Sequence, residues 1–191
     1  HNLENVLSSH DINEWLMNTG LESHTVEVIG NGVNWLLAEQ QSPKAHKVHD
    51  TDFVRHGLQI VEIMLELSMD DESLIAALLY PYYGPQATDK KLKEKITNKF
   101  GSSTLALLDS VRKMANLGLL SSRIKHSAAQ AEKIRRMLTA MVEDVRAVVI
   151  KLSQQVVYLR DIKSGDEETR VLAAKETQTI LVNCISNITN H

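Results

Sequence analysis

The 191-residue chain is 43% hydrophobic but only 4% aromatic, so Leu, Ile, Val, Met and Ala must build its core, and its 8 Gly and 3 Pro are too few for the turns of an all-β sandwich or barrel. Its 21 basic and 24 acidic residues leave a net charge of −3, which gives no support to nucleic-acid binding through bulk electrostatics. The single Cys184 excludes an internal disulfide and suits a reducing compartment, and no apolar run approaches the ~20 residues that cross a bilayer.

The first forty residues read as two helices. Asp11 is placed to cap a short one carrying Trp15 and Leu16, which Gly20 ends. Periodicity predicts a second over 25–40, with Val26, Val28, Ile29, Val33, Leu36 and Leu37 on one side and Pro43 closing it. The polar run 44–55 reads as a loop. A helix then runs from about His56 to Leu67, with Ile60, Ile63, Met64 and Leu67 as core positions, and Ser68-Met69-Asp70 breaks it. Asp70 or Asp71 can cap the next helix, Glu72 to Tyr80. It is apolar on every side, as a helix at the centre of a fold must be, and Pro81 with Gly84-Pro85 is expected to stop it.

Thr88-Asp89 begins an amphipathic helix with Leu92, Ile96 and Phe100, which Gly101 ends. Ser102 or Ser103 starts another with Leu105, Leu108, Val111 and Ala115. Residues 117–126 read as a loop, and a long helix follows with Ile134, Met137, Leu138 and Met141, ending near Glu143. In the next segment Val145, Val148, Val149, Leu152, Val156 and Leu159 keep a 3.6-residue period. Ala147, Ile150, Gln154, Val157 and Tyr158 form an opposite set, which predicts a helix buried on two faces with Gln154 as its buried polar group. Gly165 ends this region. Asp166-Glu167-Glu168 opens a final helix with Val171, Ala174, Thr177, Ile180, Leu181, Cys184, Ile185 and Ile188 in its stripe.

Several motifs are weak by themselves. His46, His49 and His56, with Asp50 and Asp52 between them, would need to converge at ~2.0–2.2 Å to hold a metal. The plainer reading is a solvated loop followed by one helix-start histidine. Arg135-Arg136 with Lys133 and Lys151 could meet a phosphate, and otherwise forms a solvated face. Cys184 reads as a core residue. Serines are plentiful, but none stands in a Gly-x-Ser-x-Gly turn, and no phosphate-cradling glycine loop occurs. Asn187-Ile188-Thr189 matches a glycosylation triplet by chance in a chain without a secretory signal. The opening His1-Asn2-Leu3-Glu4 lacks both that signal and a starting Met, which suggests a trimmed end.

Four separated blocks carry a more specific signal: Arg55-His56-Gly57-Leu58, Ala76-Ala77-Leu78-Leu79-Tyr80-Pro81, the run from Arg146 to Gln155, and Val171 to Thr177. In order and spacing they resemble the N-terminal hydrolase-type domain of the RelA/SpoT stringent-response proteins, a branch of the HD metallohydrolases. The resemblance runs from about His46 to the C-terminus. It implies an all-α, HD-domain-like helical bundle over 46–191, with 1–45 as a helical segment packed on the core.

Active members of that family hold a metal, usually manganese, with a His, an adjacent His-Asp pair and a later Asp. The metal activates water and neutralises the phosphates of a guanosine alarmone, whose 3′-diphosphate is removed. The resemblance places the first ligand at His56, the pair at Tyr80-Pro81 and the later Asp at Gln154. An acidic pair maps to Gly84-Pro85, a base-packing Arg to Val48 and a ribose-side Asn to Tyr158. Pro has no donor atom, a Tyr ligand must lose a proton with a reference pKa near ~10, and a neutral amide is a weak ligand. One ligand of four survives, which matches the RelA branch, where synthesis is kept and hydrolysis lost.

The resemblance thus implies a cytoplasmic, bacterial, catalytically inactive pseudohydrolase domain with no cofactor. It would be a fragment of a GTP pyrophosphokinase cut at a domain boundary. Its expected partner is an intramolecular synthetase domain outside this chain, and ribosome contact would lie in C-terminal regions also outside it. Two other readings stand beside this one: a hydrolase with a relocated site at His46, His49, His56 and Asp50 or Asp52, and a purely structural helical interaction module.

Overall fold

A computed structural model describes residues 9–41, 53–123, 144–162, 166–175 and 177 of the protein. The fold is all-α, and no strand occurs among the described residues. The chain divides into two compact units, residues 1–105 and 106–191. No helix among the described residues is long and apolar enough to cross a membrane.

The first unit is organised around one central helix. In chain order its helices are α1 (Ser9–Asn18), α2 (Ser23–Gln40), α3 (Phe53–Leu65), α4 (Asp71–Tyr83) and α5 (Lys90–Phe100). α4 is buried along nearly its whole length, from Ser73 to Tyr80 and again at Tyr82 and Tyr83. α2 and α3 pack against α4, and α1 packs on α2. Asp70 starts α4 by accepting from the Ser73 N–H at 2.7 Å. Asp89 starts α5 in the same way, accepting from the Lys91 and Leu92 N–H groups. Gly101, at φ +98°, ends α5 in a conformation that favours glycine.

Glycines set the spacing of the helices against α4. A Cβ on Gly57 of α3 would meet the carbonyl oxygen of Leu78, closer than any real contact. One on Gly32 of α2 would lie 2.8 Å from the Leu78 Cδ2 and 3.0 Å from the Ile75 Cδ1. Both neighbours of α4 therefore approach it over a missing side chain.

Several expectations need correction. α1 begins at Ser9, so Asp11 lies inside it and is not its cap. α2 begins at Ser23, two residues earlier than predicted, and α3 begins at Phe53, where a loop was expected, because the apolar Phe53 and Val54 extend the buried face. α3 ends at Leu65, and Leu67 is exposed beyond it. Pro81 does not stop α4, which runs on to Tyr83. A proline here removes one backbone donor near the helix end, while continuing the helix buries Tyr82 and Tyr83. A short 3-10 turn, Gly84–Gln86, follows. Pro43, the polar run up to residue 52 and the helix expected before Glu143 lie outside the described residues.

α6 (Ser102–Arg123) continues through residues 117–123, where a loop was expected. Its residues from 106 onward belong to the second unit. That unit also holds α7 (Val145–Asp161) and α8, a helix over 167–175. Asp144 caps α7 by accepting from the Arg146 N–H at 2.9 Å, and the Arg146 guanidinium forks onto the same carboxylate, with Nη2 2.7 Å from Oδ2.

The two faces expected of α7 are only partly realised. Ala147, Val148, Ile150 and Val157 are buried, but Val145 (62%), Val156 (38%) and Tyr158 (40%) are exposed. Periodicity reports that residues share a face, not that the face is covered. Gln154 is half-buried, and the buried polar residues are instead Lys151, Ser153 and Gln155. Gln155 Nε2 donates to Thr177 Oγ1 at 2.8 Å, and that hydroxyl donates to the Ala173 carbonyl, which ties α7 to the α8 region. On α8, Val171, Leu172 and Ala174 are exposed and Ala173 is buried, so of the expected stripe Val171 and Ala174 face outward, while Ile180 to Ile188 lie outside the described residues.

Candidate functional site

The positions that the sequence singled out lie at the crossing of α3 and α4 and on α7. Gly57 abuts the backbone of Leu78, which puts His56 one residue from the crossing on α3 and Tyr80 two residues from it on α4. His56 is half-buried, whereas Tyr80 is only 5% exposed. The Tyr80 ring lies over Gly84: a Cβ there would sit 3.2 Å from Cζ and 3.4 Å from Oη. The Gly84 N–H donates to the Tyr80 carbonyl, so the backbone of this turn is held by the same residue that covers it. Pro81 is half-buried and Pro85 exposed.

Gln154 and Tyr158 belong to the second unit. Gln154 Oε1 accepts from Lys151 Nζ at 3.1 Å, and Lys151 is itself only 7% exposed. Lys151 is thus no part of a solvated basic face. Its stem is buried, and its head meets an amide. Val48, His46, His49, Asp50 and Asp52 lie outside the described residues, as do Lys133, Arg135, Arg136 and Cys184.

Hard divalent cations are held mainly by carboxylate and carbonyl oxygens. At these positions His56 offers an imidazole, Tyr80 a buried phenol, Pro81 no donor, and Gln154 an amide oxygen that already accepts from Lys151. Among the described residues no group of three or more His, Cys, Asp or Glu side chains is placed to share a metal.

Sequence reasoning missed a second constellation, at the C-terminal end of α4. Tyr82 Oη donates to Glu39 Oε2 at 3.3 Å, and Lys95 Nζ reaches the same carboxylate at 2.8 and 3.1 Å. The Tyr82 ring meets Phe53 and Trp35 edge-on, with centroids 5.6 and 6.1 Å apart, and Trp35 meets Phe100 at 5.4 Å. Gln86 Nε2 donates to the Tyr82 carbonyl at 2.8 Å. These contacts join α2, α3, α4 and α5 around the end of α4 that carries Tyr80 and Pro81. Trp35 and Glu39 are four apart on α2 and share a face, and with the Tyr-rich end of α4 this was the available signal.

Burial, then the negative charge of Glu39, pushes the Tyr82 hydroxyl up to about 12. Its folded value exceeds the unfolded one, so the folded chain holds the proton more tightly. That contribution is present below the unfolded pKa, near ~10, and is lost as pH rises toward the folded value. Tyr82→Phe is expected to flatten the fall in stability between about pH 10 and 12. Urea unfolding at pH 9 and pH 11.5 checks this. An equal alkaline loss in both proteins would refute it.

Comparison with known proteins adds to this geometry. The HD domain family matches residues 34–183. A GTP pyrophosphokinase of Haemophilus influenzae is 40% identical over 131 residues, which cover 68% of this chain and 17% of that protein. The GTP pyrophosphokinase of Escherichia coli is 34% identical over 181 residues, covering 92% of this chain and 23% of its own. One from Myxococcus xanthus is 29% identical over 128 residues. The chain spans less than a quarter of the length of these curated relatives.

Proposed function

This chain belongs to the HD-domain family, in company with RelA/SpoT-type relatives, and on that premise we propose that it is a catalytically inactive HD domain of a RelA-like guanosine tetraphosphate synthetase. The observation that carries this reading is the state of α4. Where the family's ligand pair would stand, Tyr80 is buried with its ring on Gly84, and Pro81 offers no donor. Gln154, in the place of the later carboxylate, is a neutral amide held by Lys151. No hydrolytic step through a metal follows from these residues.

The longer relatives are named GTP pyrophosphokinases, which supports a parent protein that transfers pyrophosphate from ATP to GTP or GDP with residues outside this chain. The domain would then support or bias an intramolecular synthetase domain. Such regulation requires contacts that differ between two states of the parent. A bacterial, cytoplasmic setting accords with both the relatives and the single cysteine.

The test is direct. The purified chain, incubated with Mn²⁺ and guanosine tetraphosphate, is expected to release no pyrophosphate above a protein-free blank. Metal-dependent release would sink the proposal.

A further inference from the structure

We infer that Tyr80 and Gly84 are a matched pair: the tyrosine ring fills the volume that a side chain at position 84 would take, and so plugs the α4 side of the former hydrolase site. The inference rests on the reading of that site given above and deepens it, because a plugged site excludes a metal-bound phosphate by volume as well as by lost ligands.

The backbone does not ask for glycine at position 84. Its φ of −50° and ψ of −50° are ordinary helical values, which any residue adopts. This separates it from Gly101, whose φ of +98° favours glycine without any neighbour. What excludes a side chain at position 84 is the Tyr80 ring. A Cβ would lie 3.2 Å from Cζ, 3.4 Å from Oη and 3.5 Å from Cε1, and the first of these is tighter than nine in ten real contacts.

The ring has little freedom to give way. Tyr80 is 5% exposed, and the crossing of Gly57 on Leu78 lies just before it on α4. The ring stacks over the residue one turn ahead, as i and i+4 neighbours do on a helix. Loss of a ligand at position 80 and loss of a side chain at position 84 are then one packing change. A carboxylate restored at position 84 alone would meet the ring, and a histidine restored at position 80 alone would leave a void over glycine.

Thermal unfolding of the whole 191-residue chain tests this as a cycle of Gly84→Ala, Tyr80→Ala and the double variant. Gly84→Ala in the unaltered chain is expected to lower the midpoint by about 3–8 °C through overpacking. With Tyr80→Ala already present, the same change is expected to raise the midpoint by about 2 °C, because alanine is the better helix former once the ring is gone. Tyr80→Phe keeps the ring, so Gly84→Ala should remain harmful beside it. Should Tyr80→Ala not fold, Tyr80→Leu removes the outer half of the ring and completes the cycle.

Equal losses from Gly84→Ala in every background would overturn the plug and leave the inactive-domain reading standing. Mn²⁺-dependent pyrophosphate release by the unaltered chain would overturn that reading, whatever the cycle shows. The two failures are read in different assays.

Discussion

Replacing Gly57 with alanine is expected to lower the stability of the chain by about 1–3 kcal/mol, read as a thermal midpoint about 2–12 °C lower. The added methyl would meet the carbonyl oxygen of Leu78, a backbone atom in the middle of a buried helix. No side-chain rotation clears that collision, so α3 must move away from α4. Gly30→Ala on α2 is the control, since nothing lies within 4 Å of a Cβ there. It should be neutral or add up to about 1 kcal/mol, as alanine for glycine does in a helix without obstruction. Equal effects at the two glycines would refute the close crossing.

Leu78→Ala is expected to cost more, about 2–5 kcal/mol, because it empties a fully buried site between helices. The same substitution separates the two glycines. Gly32 is limited by the Leu78 side chain, and Gly57 by the Leu78 backbone. Gly32→Ala should therefore cost less beside Leu78→Ala than alone, with a coupling of about 0.5–3 kcal/mol. Gly57→Ala should cost as much with Leu78→Ala as without it. Urea titrations of the six proteins read both couplings. Relief of Gly57→Ala by Leu78→Ala would show that the obstruction is a side chain after all.

Much of this architecture was legible in the residues. The run from Leu74 to Leu79 has no polar side, and such a helix can only sit at the centre. Asp70, Asp89 and Gly101 marked helix ends correctly, because capping and a positive φ are local chemistry. Pro81 misled for the same reason in reverse. Its local preference is to end a helix, and the burial of Tyr82 and Tyr83 beyond it is a tertiary gain that local chemistry does not contain.

The α7 stripe failed for a related reason. Val145 and Val156 lie in phase with Val149 and Leu152, yet both are exposed. The candidate site divided along the same line. The positions His56, Tyr80, Pro81, Gly84 and Gln154 came from the resemblance carried by four separated blocks of sequence. The burial of Tyr80, its ring over Gly84 and the capture of Gln154 by Lys151 depend on three-dimensional placement. The Glu39, Tyr82 and Lys95 group escaped because its members are 43 and 56 positions apart in the chain.

That separation also has a temporal side. A ribosome adds about 5–20 residues each second, so the 56 positions from Glu39 to Lys95 take about 3–11 s to make. Through that interval α2 exists without the lysine that anchors its carboxylate. Its apolar face, with Ile29, Val33 and Leu36, also waits for α4. The nascent chain therefore carries an uncovered hydrophobic helix for seconds. The bridge from Lys95 to Glu39 can close only after α5 has been made.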